Sequence, residues 1–369
     1  MSPLTLVLFI AGIVLLISGA ELLVRGASRL AVAVGITPLV VGLTVVAFGT
    51  GSPELAVGIQ AGAAGQADIT IGNVVGSNIF NVLLILGISA TVAPLVVSQQ
   101  LVRLDVPIMI IVSVAFLLMS LDGVVDRGDG AVLVTASVLY TYMLVRISRR
   151  ETAAVHAEYE GAYGSAPSRD QGRWPVHALL VLLGLALLVV GSRWLVDGAV
   201  SIAGALGVSE LIIGLTIIAA GTSLPEVATS IVAGLRGERD IAVGNVVGSN
   251  LFNILVVVGV TAAVTPGGLR VAPAAINFDM PVMIAASVLC LPIFFVRYRI
   301  GRWEGALFLS YYIFYTLYLI LAASQHDALP AFSAIMSRIV IPLTVGTVAL
   351  VFGREVLRRY RLRGTDRPA

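Results

Sequence analysis

The chain has 369 residues, of which 58% are hydrophobic and only 12% charged, with a formal net charge of +2. Soluble domains carry roughly 25% charged residues, so the composition excludes a water-soluble globular protein and gives no footing for a nucleic-acid partner. The length has room for about ten or eleven helical spans of ~20 apolar residues each, with little left for a soluble domain.

Apolar runs long enough to cross a bilayer occupy about 3–24, 37–63, 69–96, 104–121 and 130–148. After a polar segment they resume at about 176–196, 209–235, 241–266, 278–296, 303–323 and 331–352. They predict eleven spans, all helical, because lipid cannot satisfy an open backbone. The predicted fold is an all-α membrane protein with two inverted repeats of five transmembrane helices plus an additional C-terminal helix. Its expected divisions are a first repeat over 1–149, a cytoplasmic linker over 150–174, a second repeat over 175–325, and an extra helix with a basic tail over 326–369. The first residues carry no positive segment before the apolar run, so a cleaved signal peptide is not expected. The lone cysteine, Cys290, sits in an apolar run and reads as a small core residue.

All the basic charge is arginine, and its placement sets the orientation. Arg25 and Arg29 follow the first span, Arg103 precedes the fourth, and Arg146, Arg149 and Arg150 follow the fifth. Arg236 and Arg239 follow the seventh, Arg297, Arg299 and Arg302 the ninth, and the tail carries Arg354, Arg358, Arg359, Arg361 and Arg363. These fall on one side if the N-terminus is outside and the C-terminus inside. The linker mixes charges with Gly, Ser and Pro and reads as flexible. The tail arginines suit an orientation signal or attraction to anionic lipid.

Within this apolar chain one polar stretch occurs twice. Residues 35–87 and 207–259 align at an offset of 172 without a gap, and 28 of the 53 positions are identical. The repeated elements are Gly42-Leu43-Thr44, Gly49-Thr50-Gly51-Ser52-Pro53-Glu54 and Gly72-Asn73-Val74-Val75-Gly76-Ser77-Asn78-Ile79-Phe80-Asn81. Their counterparts are Gly214-Leu215-Thr216, Gly221-Thr222-Ser223-Leu224-Pro225-Glu226 and Gly244-Asn245-Val246-Val247-Gly248-Ser249-Asn250-Leu251-Phe252-Asn253. Five spans separate the copies, an odd number, so the second enters the membrane from the opposite face. That is the plan of secondary transporters, whose sites lie at the midplane between repeats.

Pro53 and Pro225 each remove a backbone donor in mid-span, and with the adjacent glycines they predict broken helices. Ser52 is placed to cap the new half-helix, with Pro53 at its first position. The freed carbonyls around Ala47 to Thr50 could then face a cavity. Glu54 and Glu226 follow within the first turns. A carboxylate at mid-membrane costs from about 2.5 kcal/mol upward, and two facing ones cost more unless a cation lies between them. Carboxylates, hydroxyls, amide oxygens and carbonyls suit Ca²⁺ or Na⁺ and not soft metals. Ser77 and Asn81 share a helix face, as do Ser249 and Asn253, and would complete a polar ring. The plain alternatives are structural carboxylates and interhelical hydrogen bonds; the mirrored pairing favours a site. Gly72-x-x-x-Gly76 and Gly244-x-x-x-Gly248 permit close helix approach. Asn73, Asn78, Asn245 and Asn250 read as structural. Asp105 and Asp279 look like N-caps ahead of Pro107 and Pro281, and Asp68 and Asp240 like caps of the spans they open. Glu21 with Arg25 and Arg193 with Asp197 read as i,i+4 structural pairs.

At the Gly-Thr-x-x-Pro-Glu and Gly-Asn-x-x-Gly-Ser-Asn motifs the sequence resembles the sodium/calcium exchanger branch of the calcium/cation antiporter superfamily. The resemblance covers about residues 1–325 and implies ten helices in two inverted halves. It implies ion ligands at Thr50, Glu54, Ser77, Asn81, Thr222, Ser223, Glu226, Ser249 and Asn253, with backbone oxygens at Ala47 and Ala219. Gly51 stands where the family often has serine, so one hydroxyl is missing unless Ser52 substitutes. Both deep amide positions are asparagine where the potassium-dependent branch has aspartate, so potassium co-transport is not expected. Gly76 and Gly248 replace the glutamate typical of proton/calcium exchangers.

The function expected is exchange of Na⁺ for Ca²⁺ through one midplane site exposed alternately to each side of the cell inner membrane, with spans 1 and 6 as gates. Sodium and calcium ions are cargo, no cofactor is implied, and the bilayer is the only other partner. The rivals are a Ca²⁺/H⁺ antiporter and, of a different class, a calcium-permeable channel. No nucleophile–base set suggests an enzyme.

Overall fold

The computed structural model describes residues 3–163, 174–206 and 219–365. In chain order the helices are α1 (Pro3–Val34), α2 (Pro38–Thr50), α3 (Ser52–Ala63), α4 (Ala67–Val92), α5 (Leu101–Met119) and α6 (Arg127–Tyr163). They continue as α7 (Trp174–Ala205), α8 (Leu224–Leu235), α9 (Arg239–Val264), α10 (Ala275–Phe295), α11 (Arg302–Ala323) and α12 (Leu329–Arg358). Among the described residues nine helices are long and apolar enough to cross a membrane, and α2 with α3 makes a tenth, bent by 45°. The remaining predicted span, 209–235, is represented by α8 and a one-turn piece, Ala219–Gly221. The rest of it, with Gly214-Leu215-Thr216, lies outside the described residues, as do residues 164–173 of the 150–174 linker, whose first part continues α6 as helix to Tyr163.

The repeated stretch forms the centre. The most apolar windows of α9 and α4 are 83% and 72% buried, against 6% for α11 and none of α12. Gly244 and Gly248 let α9 close on α2. A Cβ at Gly248 would lie 2.6 Å from the Leu43 carbonyl oxygen, and one at Gly244 3.0 Å from that of Leu39. The backbone that Gly72 and Gly76 would face by the repeat lies outside the described residues.

Outside this core α1 and α7 pack antiparallel along their length. Their seam is built on glycines seven residues apart: Gly12, Gly19 and Gly26 on α1, and Gly184, Gly191 and Gly198 on α7. A Cβ at Gly19 would sit 2.8 Å from the Gly184 carbonyl oxygen, and one at Gly184 2.6 Å from the Leu23 nitrogen. Only glycine allows backbones to approach so closely, so the two helices form one unit. One end of α1 is tied to the core by charge. Glu21 pairs with both Arg25 and Arg236, and Ser28 Oγ donates to Glu238 at 2.8 Å. The expected Arg193–Asp197 pair does not form. Both side chains instead line a 300 Å³ opening that also reaches Gln60, Ser192 and Thr222.

Two short antiparallel pairings join the halves. The strand β1 (Leu95–Val96), after α4, pairs with β4 (Arg299–Ile300), after α10. The strand β2 (Val124–Val125), after α5, pairs with β3 (Leu269–Arg270), after α9. Asp105 and Asp279 do not cap helices. Buried Asp105 accepts from Tyr140 Oη at 2.9 Å, and Asp279 from Tyr315 Oη at 2.9 Å. A phenol one helix further along the chain outcompetes the local amides because both carboxylates sit within continuous helical backbone. Asp68 and Asp240 make no capping bond either; each sits in a first turn, where its charge meets the positive end of the helix dipole.

Candidate cation-binding site

The site begins with the broken helices. Pro53 offers no N–H to the Gly49 carbonyl, and Ser52 Oγ donates to that oxygen instead, at 2.8 Å. Pro225 leaves the Gly221 carbonyl in the same condition, and Ser192 Oγ of α7 supplies the donor at 2.7 Å. Ser52 is therefore occupied and exposed, and α3 is preceded by Gly51 without a side-chain cap. The expectation that Ser52 caps α3 or replaces a missing hydroxyl is corrected. The Ala47 carbonyl accepts the Gly51 N–H at 3.0 Å, so it has one lone pair to offer and not two.

The breaks place Glu54 in the first turn of α3 and Glu226 in the first turn of α8, each 1% exposed. The carboxylates lie close enough to repel one another. Ser223 Oγ lies 3.3 Å from Glu54 Oε1 and 3.1 Å from Ser77 Oγ. Thr222 reaches Glu54, and Thr50 reaches Glu226. Ser223 thus contacts both Glu54 and Ser77 across the two halves, with Thr222 beside Glu54 and Thr50 beside Glu226. Asn81 and Asn253 lie one turn further along the helices that carry Ser77 and Ser249, and all four are buried. Ala219 opens the turn ahead of α8.

Four asparagines that read as structural control the geometry. Thr50 Oγ1 lies 3.3 Å from Asn245 Oδ1, and Thr222 Oγ1 lies 3.3 Å from Asn73 Oδ1. Asn81 Nδ2 donates to Asn250 Oδ1, and Asn253 Nδ2 donates to Asn78 Oδ1, both at 3.0 Å. Asn78 and Asn250 in turn donate to each other's backbone carbonyls, at 3.2 and 3.4 Å. With their NH₂ groups committed, Asn81 and Asn253 can present only their carbonyl oxygens to whatever else they face. Both residues also open π-helical turns, Asn81–Ile85 and Asn253–Val258, local widenings of a kind frequent at functional sites.

Five oxygens at the centre, Glu54 Oε2, Glu226 Oε2, Asn81 Oδ1, Asn253 Oδ1 and Ser249 Oγ, are buried without a hydrogen-bond partner, as is one donor, Asn73 Nδ2. Buried oxygens are costly without a partner, and four of these five can only accept, so a cation satisfies them where a neutral donor does not. Among the described residues no group of three or more His, Cys, Asp or Glu could hold a metal. The charge at the site is two carboxylates and the rest is neutral oxygen, the donor set of a hard cation.

The halves differ at Gly51. A Cβ there would sit 2.7 Å from Cδ1 and 2.9 Å from Cε1 of the Phe252 ring. The ring packs against Phe48 with centroids 4.6 Å apart. Its aromatic carbon fills the space where a hydroxyl equivalent to that of Ser223 would stand. Ser77, which Ser223 reaches, has a partner; Ser249, opposite Gly51 by the repeat, has none.

The arrangement defines a polytopic helical membrane protein with a pair of buried carboxylates and oriented neutral oxygens at its centre, a donor set suited to hard cations. A profile described as sodium/calcium exchanger protein matches residues 4–146 and 176–321. Inner membrane protein YrbG of Escherichia coli is 39% identical over 252 residues, covering 66% of this chain and 74% of YrbG. Sodium/calcium exchanger MaX1 of Methanosarcina acetivorans is 30% identical over 299 residues, covering 73% of this chain and 85% of MaX1. A solved structure of the sodium-calcium exchanger NCX_Mj superposes with a TM-score of 0.72 at 31% identity, covering 88% of this chain and 100% of that one. The chain belongs to the sodium/calcium exchanger family.

Proposed function

We propose that the protein exchanges Na⁺ for Ca²⁺ by alternating access at this site, in the cell inner membrane, with the N-terminus outside and the C-terminus inside. The observation that carries the proposal is the set of buried, donorless oxygens around Glu54 and Glu226. Thr50, Ser77, Asn81, Thr222, Ser223, Ser249 and Asn253, with the Ala47 and Ala219 carbonyls, would be the other ligands. Two carboxylates neutralise one Ca²⁺ or two Na⁺, so the ions exclude each other and their fluxes couple. The reciprocal strand pairing, β1 with β4 and β2 with β3, supports two inverted five-helix halves, to which α12 adds an eleventh span. The glycine seam supports α1 and α7 moving as one gate. The Glu21–Arg236 and Ser28–Glu238 ties hold that gate to the core at one end, while the opening by Thr222 lies at the other.

Radiocalcium uptake into proteoliposomes, with Na⁺, K⁺ and H⁺ gradients imposed one at a time, tests this. Uptake should follow the Na⁺ gradient alone. Uptake driven by H⁺ alone would make it a proton antiporter, and uptake without any gradient a channel. Unit charges about 4 Å apart interact by about 4 kcal/mol at an effective dielectric of about 20. Glu54→Gln or Glu226→Gln should therefore weaken Ca²⁺ binding by a factor approaching a thousand while the protein still folds. Near-normal exchange in either variant would remove the site.

A further inference from the structure

We propose that the seam between α12 and the α10–α11 pair binds one anionic phospholipid, with an acyl chain in the seam and the phosphate on arginines at its basic end. The site lies outside the exchange centre, and the family profile stops at residue 321, before α12 begins.

Three cavities adjoin along this seam. The first, of 470 Å³, is walled by side chains such as Phe278, Val282 and Leu289 of α10, Tyr318 of α11, and Met336 and Ile341 of α12. It shares Thr344 with the second, of 160 Å³, which Pro292, Trp303, Leu307 and Val348 line. The second shares Val296, Glu304 and Val351 with the third, of 510 Å³. There the lining turns basic: Arg297, Arg299, Arg354 and Arg358 stand against Glu304 and Glu355. The seam opens outward, with Leu343 69% and Trp303 65% exposed, and α12 is an apolar span, so what reaches it is lipid.

The basic end has charge to spare. Four arginines less two carboxylates leave a net +2. Arg358 pairs with Glu355 at 3.1 Å, and Glu304 Oε2 accepts the Gly301 N–H at 3.1 Å. Among the described residues Arg297, Arg299 and Arg354 form no ion pair. Arg297 and Tyr298 both hold left-handed backbone, with φ of 59° and 49°. For residues other than glycine such conformations persist only where the surroundings over-determine them, and they cluster at ligand clamps. The β1–β4 pairing and the Val97 N–H on the Tyr298 carbonyl, at 2.9 Å, hold this turn and the Arg297 it presents. A phosphate satisfies the unpaired guanidinium groups; a zwitterionic headgroup brings its own cation and leaves them uncompensated. Basic pockets between transmembrane helices recognise anionic headgroups in this way.

The test uses the full chain in neutral detergent with no transport ions, so its outcome is independent of the exchange reading. Phosphatidylglycerol, phosphatidylcholine of the same acyl chains, and water-soluble glycerol phosphate are titrated in turn, with bound adducts read by native mass spectrometry and melting followed in parallel. Each arginine at a charged membrane surface is worth about a fivefold gain, so three unpaired ones should favour phosphatidylglycerol by about a hundredfold. The preference should vanish in the triple variant Arg297→Gln, Arg299→Gln, Arg354→Gln. It should also vanish in Thr344→Trp, which blocks the seam and leaves every arginine in place. Equal retention of the two lipids would overturn the proposal, as would native phosphatidylglycerol binding by either variant. Glycerol phosphate acting as well as the lipid would reduce the site to one for free phosphate and overturn it too. If the triple variant melts abnormally before lipid is added, Thr344→Trp decides alone.

Discussion

Replacing Asn78 by leucine tests whether the linked asparagines set the site. Leucine has the branched skeleton of asparagine without its polar atoms, so the acceptor that fixes Asn253 Nδ2 at 3.0 Å is lost. So are the donors to the Asn250 carbonyl and to Met283 Sδ. The Asn253 amide then has a buried NH₂ without a partner, a cost of about 1–3 kcal/mol. Rotation of the amide relieves that cost only by turning NH₂ toward the cation in place of oxygen. Either way the free energy is withdrawn from ion binding, and Ca²⁺ affinity should fall by about 5- to 150-fold. Titration calorimetry on purified protein reads the affinity directly, and the melting temperature without Ca²⁺ separates a binding defect from misfolding. Native Ca²⁺ affinity in a well-folded Asn78→Leu protein would refute the orienting role.

Two further substitutions probe the packing around the site. Gly51→Ser drives a Cβ into the Phe252 ring and should cost about 1–3 kcal/mol as overpacking, read as a lower melting point. Adding Phe252→Leu should restore stability and, with a hydroxyl now beside Glu226, tighten Na⁺ binding; a single variant as stable as the native chain would mean that the ring does not fill the space. Gly248→Ala meets the Leu43 backbone, which cannot move aside as a side chain can. It should destabilise by about 1–3 kcal/mol and lower the melting temperature, and an unchanged melting curve would show that α2 and α9 are not closely packed.

The helices, the break at Pro53 and the repeated polar set were legible because each is written locally: apolar runs, a residue without an N–H, and identical motifs at one offset. What escaped depends on partners far along the chain. Asp105 ahead of Pro107 has the signature of a cap, and nothing near it in sequence announces that Tyr140 will compete for its carboxylate. Ser52 looked free to cap forward, yet the carbonyl that Pro53 strands lies behind it. The sevenfold spacing of Gly12, Gly19 and Gly26 is visible in the sequence, and so is that of Gly184, Gly191 and Gly198. It becomes meaningful only if the two sets are supposed to face each other. Asn78 and Asn250 read as structural one at a time, whereas they link Asn81 and Asn253 into a chain of four amides, two from each half.

That chain of amides is symmetric between the halves, whereas a few aromatic and small residues beside it are not. Phe48 in the first half corresponds to Ala220 in the second, and Gly51 to Ser223, while Phe80 and Phe252 are shared. Where Phe48 is present it packs on Phe252, and the Phe252 ring lies over Gly51. Where Ala220 stands instead, Phe80 turns to Tyr312, 5.5 Å away edge to face, and Ser223 has room for its hydroxyl. The loss of a hydroxyl at position 51 is therefore coupled to a gain of ring packing and is not an isolated deletion. Its chemical result is a site with two unlike carboxylates. Glu54 shares its charge with Ser223 and, through it, Ser77, while Glu226 and Ser249 lack that hydroxyl. If these oxygens hold the exchanged ions as proposed, the less satisfied carboxylate would hold its cation more tightly and the better satisfied one would lose its ion at lower cost.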